Sequence, residues 1–313
     1  MAKRIRSVKK ASASSVTWQQ ALDEYLMIRK AEGLRASTLK SQYDVISTLF
    51  RRYENAWNDV RNSVLKFMSE DIKPATYNIR LSYLKTFFDW CHSQGYISNN
   101  PIKTFKKRKA DHRIVQLDEE TVTKLLKLPD KSTYAGLRDY ALLMLTLDTG
   151  IRPKEAFALM LGDVNLRSYE VYVRPEVSKT KISRTLPISP PTARAIRRLI
   201  DARHESWISD IPLFASADGT QLNRNTWGDR LEMYSKRLGV HIRPYDLRHT
   251  FALYFLRNGG HALALQRLMG HSDLSMTKRY VALTEGDLRQ QHDMASPAMK
   301  LVQQSKRVRK VRK

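Results

Sequence analysis

Apolar residues recur at helical spacing through the first hundred positions. Residues 17–31 put Trp18, Leu22, Tyr25 and Leu26 on one face, with Thr17 placed to cap the first turn. A second stripe starts near Ser37 and runs through Leu39, Tyr43, Ile46, Phe50 and Tyr53, in steps of four and three that keep one face inward. A shorter piece covers Val64 to Met68. Residues 75–92 then turn Leu81, Leu84, Phe87, Phe88 and Cys91 inward, with Arg80 and Lys85 outward. The stretch GYISNNP at 95–101 stops the pattern with glycine, asparagines and proline. The prediction is a small all-helical bundle.

Between Lys103 and Arg113 the run KTFKKRKADHR is basic and poor in apolar residues, the natural composition of an interdomain linker. Beyond it Asp118 caps a helix through Thr121 and Leu126, and a longer helix runs from about Tyr134 to Asp148 and ends at Gly150. Its apolar face holds Leu137, Ala141, Met144 and Leu145. From Ser168 the period changes: YEVYVRP and RTLPIS read as strands of a two- or three-stranded antiparallel patch joined by the basic turn VSKTKIS. Helices return over Thr192–His204, Trp227–Arg237, Tyr245–Leu256 and, after Asn258-Gly259-Gly260, Ala262–Met269. The fold class predicted is mainly α with a small antiparallel β-sheet in the second unit.

Composition sharpens this picture. The 313 residues suffice for two domains, and 55 Lys+Arg against 31 Asp+Glu leave a net charge of +24, as in proteins that neutralise phosphates. A ribosomal or generally adhesive basic surface has the same composition. The single cysteine, Cys91, rules out an internal disulfide framework and suits a reducing cytoplasm. MAKRIRSVKK leads into a polar ASASS stretch, not the apolar core of a signal peptide, and no apolar run is long enough for a membrane helix. The last fourteen residues, from Lys300, carry seven basic side chains and little to pack, which suits sequence-independent DNA affinity.

The chemistry-bearing residues are dispersed but ordered: Arg152 in TGIRPKEA, Lys179 in SKTKISRTLPIS, Arg248 and His249 in RPYDLRHTF, His271 and Tyr280 in LMGHSDLSMTKRY. Phosphodiester transfer needs cations at the non-bridging oxygens, an in-line nucleophile and an acid for the leaving oxygen. Arginine binds phosphate through a planar fork that keeps its charge, and a turn lysine can surrender a proton. Tyrosine, with a pKa of ~10, needs positive charge and a base to attack near neutrality. Taken singly, each residue has an ordinary reading: Arg152 complementing a helix C-terminus, Lys179 and Lys181 solvated in a turn, the histidines and Tyr280 as packed polar side chains. Their joint occurrence points to strand cleavage by a protein hydroxyl. No phosphate-cradling glycine loop and no metal-ligand cluster accompanies them in the sequence.

These motifs resemble the catalytic pattern of the tyrosine recombinase (phage integrase) family: TG-[LI]-R-x-x-E, a turn lysine before R-x-x-P, the box H-x-L-R-H, L-G-H-[SA], and a tyrosine nine positions later. The match spans roughly residues 115–290, and residues 17–100 resemble the family's core-binding domain, with its aromatic-rich last helix before G-x-I-x-x-N-P. The resemblance implies a two-domain DNA clamp: a basic N-terminal segment 1–16, a helical core-binding (SAM-like) domain 17–102, a linker 103–114, a catalytic domain 115–295 and a basic tail 296–313. It implies that Arg152 and Arg248 clamp the scissile phosphate, Lys179 is the general acid, His271 bonds a non-bridging oxygen and Tyr280 forms a 3′-phosphotyrosine. Glu155 and His249 become supporting residues. The pattern is broken at Tyr245, which stands where the box has its first histidine; it is kept among the catalytic candidates because a phenol can donate a hydrogen bond to phosphate, yet it is a far weaker base than imidazole. Lys40, Arg51, Arg80, Lys85, Lys106, Lys107, Arg108 and Lys181 are the basic residues assigned to the DNA backbone.

The function implied is site-specific recombination on duplex DNA, with inverted-repeat sites, a homotetramer in the synapse, and neither cofactor, metal nor membrane. Integration, excision, inversion and dimer resolution all fit, and accessory proteins are undetermined. No arm-binding domain is evident before residue 17, which favours a simple recombinase. The segment Thr284–Met299 resembles the family's C-terminal docking element. Type IB topoisomerase chemistry, a non-catalytic DNA-binding regulator and, more distantly, an RNA-binding protein are the competing readings.

Overall fold

The computed structural model describes residues 16–110, 115–207, 210–281, 289 and 292–298. The basic N-terminal run, the end of the linker, half of the Thr284–Met299 segment and the basic tail from residue 299 lie outside the described residues. The chain divides into two compact units, at His112/Arg113.

The first unit is built from α1 (Trp18–Ala31), α2 (Ala36–Arg52), α3 (Val60–Met68) and α4 (Pro74–Ser93). Thr17 starts α1 with a reciprocal cap: its hydroxyl accepts from the Gln20 backbone N–H at 3.2 Å while its own N–H donates to Gln20 Oε1 at 2.9 Å. The bundle closes on Phe50, whose ring stacks on Trp18 at 5.1 Å and meets Trp57, Phe87 and Phe88 edge-on. Cys91 is fully buried in this core, and burial raises its pKa well above that of a free thiol.

Two expectations fail here. Tyr43, assigned to the inward stripe of α2, is 42% exposed, with the Arg51 guanidinium 5.9 Å from its ring centre; α2 buries Gln42, Ser47 and Leu49 beside the expected Ile46 and Phe50. Arg80, assigned to an outward face and to DNA, is buried. It donates to the Phe67 carbonyl at 2.9 Å and to Glu70 at 2.7 Å, with its guanidinium 3.9 Å over the Phe67 ring. Glu70 lies just beyond α3, so only the tertiary fold reveals the pair. The start of the basic stretch belongs to this unit: Ile102 is buried, Phe105 packs on the core, and Arg108 lies 3.9 Å over Tyr77.

The second unit contains α5 (Glu119–Lys127), α6 (Tyr134–Thr149), α7 (Pro153–Phe157), α8 (Pro190–Asp201), α9 (Arg224–Leu238), α10 (Pro244–Arg257), α11 (Ala262–Met269) and α12 (Leu274–Lys278). Antiparallel strands β1 (Val164–Asn165), β2 (Glu170–Val173) and β3 (Arg184–Pro187) form one sheet in the order β1-β2-β3. Alternation decides its faces: Val171 and Val173 of β2 and Leu186 of β3 point into the core, and Val173 pairs with Arg184. The helix α6 is buried on most sides, as its run of leucines demands. Its Asp139 is fully buried and paired with Arg138 and Arg230. Gly150 ends α6 in the left-handed conformation (φ 63°), where a Cβ would collide with the Phe251 ring of α10. That close approach brings the ends of α6 and α10 together.

Candidate active site

The site forms where three chain segments meet the C-terminus of α11. The last carbonyls of a helix have no intrahelical donors and carry partial negative charge. Here they are taken by arginines: Leu268 O accepts from Arg184 Nε at 2.9 Å, Met269 O from Arg248 Nη2 at 2.7 Å and Gly270 O from Arg152 Nη2 at 2.8 Å. Arg248 also donates to the Gly150 carbonyl at the end of α6, so two helix C-termini converge on one guanidinium. Gly270 is left-handed (φ 60°), and a Cβ there would sit 2.9 Å from Arg184 Nη1 and 3.2 Å from Arg152 Nη1. Only glycine leaves the guanidiniums this room.

Glu155, 1% exposed, ties two of the three arginines together. Its Oε1 accepts from Arg152 at 2.9 Å, and its Oε2 accepts from Arg184 at 2.6 Å. Burial by itself would raise its pKa, but the two guanidiniums outweigh that and hold it below the usual carboxylate value. The side chains of Arg152 and Arg184 are each 10% exposed and Arg248 is 3% exposed. Burial, reinforced by Arg152, pushes the Arg248 pKa down to about 9, which still leaves it charged at neutral pH. Three cations against one carboxylate leave an excess of two positive charges with little water around them.

His271 and Tyr280 line this cluster. Burial, then the nearby Arg248, Arg152, Arg184 and Arg279, pushes the His271 pKa down to about 4, so its ring is neutral at pH 7. Arg248 Nη2 points at His271 Nε2 across 3.0 Å, which makes Nε2 the acceptor and assigns the proton to Nδ1, 2.9 Å from the Thr277 hydroxyl. Thr277 is buried in α12, and its carbonyl accepts from the Tyr280 N–H at 2.9 Å. The Tyr280 ring is half-buried, packs beside Phe251, Ala252, Leu265 and Met269, and lies parallel to His271 with centres 6.3 Å apart. Burial raises its pKa, while Arg248, Arg279 and Arg152 pull it back.

Tyr280 OH lies 2.8 Å from His249 Nδ1. His249, expected only to support its neighbour Arg248, thus reaches the reactive oxygen itself. The 31 residues between them give no sequence signal for this contact. Arg184 was missed as a member of the cluster for a similar reason: it entered only as the arginine of R-x-x-P, context for the turn lysine. Lys179 and Lys181 are exposed in the turn between β2 and β3, which leads into Arg184, and Lys181 takes a positive φ of 56°. Tyr245 lies on the first turn of α10, 49% exposed, its hydroxyl without a hydrogen-bond partner among the described residues.

The sequence signature of the phage integrase family matches residues 116–286, more than half of the chain. A tyrosine recombinase XerC of Histophilus somni is 31% identical over 254 residues, covering 79% of this chain and 85% of the relative. The chain belongs to the phage integrase family. It is a tyrosine-type site-specific DNA recombinase. A XerC of Shewanella amazonensis is 28% identical over 294 residues, 91% of this recombinase and 97% of that protein. Among solved structures, the Tn1549 transposon integrase in complex with a circular intermediate DNA superposes with a TM-score of 0.71 at 20% identity, covering 88% of this chain and 98% of that one. A lambda integrase dimer bound to a COC′ core site gives 0.67 at 19%, over 86% and 78%. At those identities the structures share the fold: mainly helical, with a small three-stranded antiparallel sheet.

Of the basic residues assigned to the DNA backbone, Lys40, Arg51, Lys106, Lys107, Arg108 and Lys181 are exposed. Lys85 is half-buried and donates to the Lys103 carbonyl at 3.2 Å. No helix among the described residues is long and apolar enough to cross a membrane.

Proposed function

We propose that Arg152 and Arg248 receive the scissile phosphate of duplex DNA and that Tyr280 attacks it in cis, leaving a 3′-phosphotyrosine. The observation that carries this reading is the charge imbalance beside the phenol: three enclosed guanidiniums stand against one carboxylate, Glu155, which pairs with two of them. Such preorganised positive charge stabilises the doubly charged phosphorane-like transition state more than the starting diester, which is what lowers the barrier. Glu155 and Arg184 hold Arg152 in register from behind. Lys179, on its exposed turn, protonates the departing 5′ oxygen. When Arg248 turns its Nη2 to phosphate, His271 Nε2 is released and, as the other neutral tautomer, donates to a non-bridging oxygen. Tyr245 is left the part of a neutral hydrogen-bond donor at the DNA backbone.

The exposed cations Lys40, Arg51, Lys106, Lys107, Arg108 and Lys181 track phosphates on either side, with Lys85 as a lesser contributor. The targets are inverted-repeat sites, each half bound by one chain, with a homotetramer in the synapse; a lambda integrase bound to its core site as a dimer supports more than one chain per site. The protein acts in the cytoplasm. A duplex nicked just beyond the cleavage position traps the intermediate, because the short 5′-hydroxyl fragment diffuses away before religation. The unsubstituted protein should leave a denaturation-resistant protein–DNA adduct, and Tyr280→Phe should bind the same duplex and leave none. An adduct from Tyr280→Phe would overturn the assignment of the nucleophile.

A further inference from the structure

Attack by Tyr280 requires its proton to leave. Burial raises the phenol's pKa against the pull of Arg248, Arg279 and Arg152, so the hydroxyl is overwhelmingly protonated at neutral pH. A base must therefore stand within hydrogen-bond reach of that oxygen. The groups around it narrow to one. Both ring nitrogens of His271 are engaged, one by Arg248 and the other by Thr277, and its ring stacks flat against the Tyr280 ring. Glu155 is locked between Arg152 and Arg184. Tyr245 is a phenol facing outward, 49% exposed. Among the described residues, only His249 Nδ1 is in contact, at 2.8 Å, with the two rings tilted at 43° and their centres 5.7 Å apart.

We propose that His249 Nδ1 accepts the phenolic proton of Tyr280 during strand cleavage, the part that Tyr245 cannot serve. This rests on Tyr280 being the nucleophile. His249 follows Arg248 on α10, so one helical turn fixes both the phosphate-binding cation and the base. Burial lowers the His249 pKa, Asp246 opposes that and Arg248 reinforces it, which keeps the ring neutral with a lone pair at pH 7. The charged and titratable groups around the pair are Asp246 and Arg248 on α10, Tyr280 and Arg279 beyond α12, and Arg152 at the head of α7.

In cleavage the phenolic O–H bond breaks and its proton moves to Nδ1, giving an imidazolium. The freed electron pair forms the new bond to phosphorus. The bond from phosphorus to the 5′ oxygen breaks, its pair stays on that oxygen, and Lys179 supplies the proton. Religation reverses every transfer: Lys179 is reprotonated by the attacking 5′ hydroxyl, and the imidazolium returns its proton to the departing phenolate. The enzyme ends as it began.

The test is single-turnover cleavage of the nicked duplex by the full chain from pH 5 to 9, with either the natural 5′ oxygen or a 5′ bridging sulfur as leaving atom. Sulfur leaves without an acid, so it separates loss of the acid from loss of the base. His249→Gln keeps a polar side chain and removes the basicity. It should cleave about 10²-fold or more slowly at pH 7, recover about tenfold per pH unit as hydroxide ionises the phenol, and gain nothing relative to the unsubstituted protein from sulfur. Lys179→Ala should be restored by sulfur, and Tyr245→Phe should lose a few-fold with an unaltered pH profile. The proposal falls if His249→Gln stays within threefold of the unsubstituted rate, if its deficit is independent of pH or is cured by sulfur, or if Tyr245→Phe carries the pH-dependent loss. Should the Gln variant fail to fold, the unsubstituted enzyme still decides: a plateau through neutral pH supports the base, and a rate climbing steadily to pH 9 overturns it. An adduct on Tyr280→Phe would reject the nucleophile, a separate failure.

Discussion

In the first unit the enclosed arginine, Arg80, meets a carboxylate, a backbone carbonyl and an aromatic face, and it shares that carboxylate, Glu70, with Arg52, whose side chain is 52% exposed. In the second, Arg152 and Arg184 pair with one carboxylate, Arg248 pairs with none, and all three donate to helix-end carbonyls, which are dipoles and not full charges. Both arrangements satisfy hydrogen bonds; in the first, one enclosed cation faces the carboxylate while its second partner, Arg52, stays in water, whereas in the second three enclosed cations face one carboxylate. A protein stabilised for its own sake gains nothing from unbalanced buried cations, whose desolvation is costly. The second cluster makes sense as a receptor that becomes neutral when an anion arrives, and the distinction between the two units is one of charge accounting and not of burial.

The comparison is broken most directly at Arg248. Arg248→Ala should lower single-turnover cleavage by about 10³-fold, the scale for removing a preorganised oxyanion partner, far beyond the loss for Tyr245→Phe; equal losses would mean that the exposed phenol matters as much as the buried cation. Gly270→Ala sharpens it. A left-handed alanine pressed against Arg184 and Arg152 should cost about 2–3 kcal/mol by urea titration and slow cleavage as the guanidiniums part, and an unchanged midpoint would show that the glycine is dispensable. The smallest effect belongs to Arg80→Ala, which should destabilise the protein by about 1.5 kcal/mol while the salt dependence of DNA affinity keeps its slope. A slope shallower by one phosphate contact would return Arg80 to the DNA surface.

Much of this was readable along the chain, for a definite reason. The long helices carry enough turns for their stripes to show, so α1, α2, α4, α6 and α11 begin or end within a residue or two of where periodicity and caps put them. The motif residues Arg152, Arg248, His271 and Tyr280 do gather in space. What escaped were α7 and α12, too short to display a period, and β1, two residues long. Arg80 was misread because Glu70 becomes its neighbour only after the chain turns between α3 and α4. Tyr43 was misread because a stripe of apolar residues does not say how wide the buried face is, and an amphipathic ring at its edge can serve a cation instead. The partnership of His249 with Tyr280 joins α10 to the turn that follows α12, and their approach depends on packing around Phe251, Leu265 and Met269.

The three successive carbonyls at the end of α11 act as a ruler. Two of these oxygens are set by the last turn of α11 and the third by the left-handed Gly270 that caps it, so the spacing between the guanidiniums is inherited from the backbone and not tuned by side-chain packing alone. The same strand of polypeptide then runs, within ten residues, to the phenol. A swing of the nucleophile that begins after His271 can leave the phosphate cradle intact, whereas any disturbance that begins before Leu268 must disassemble cradle and nucleophile together. Control exerted on α11 would therefore silence the enzyme completely, and control exerted on α12 could hold it loaded with DNA but unable to cut.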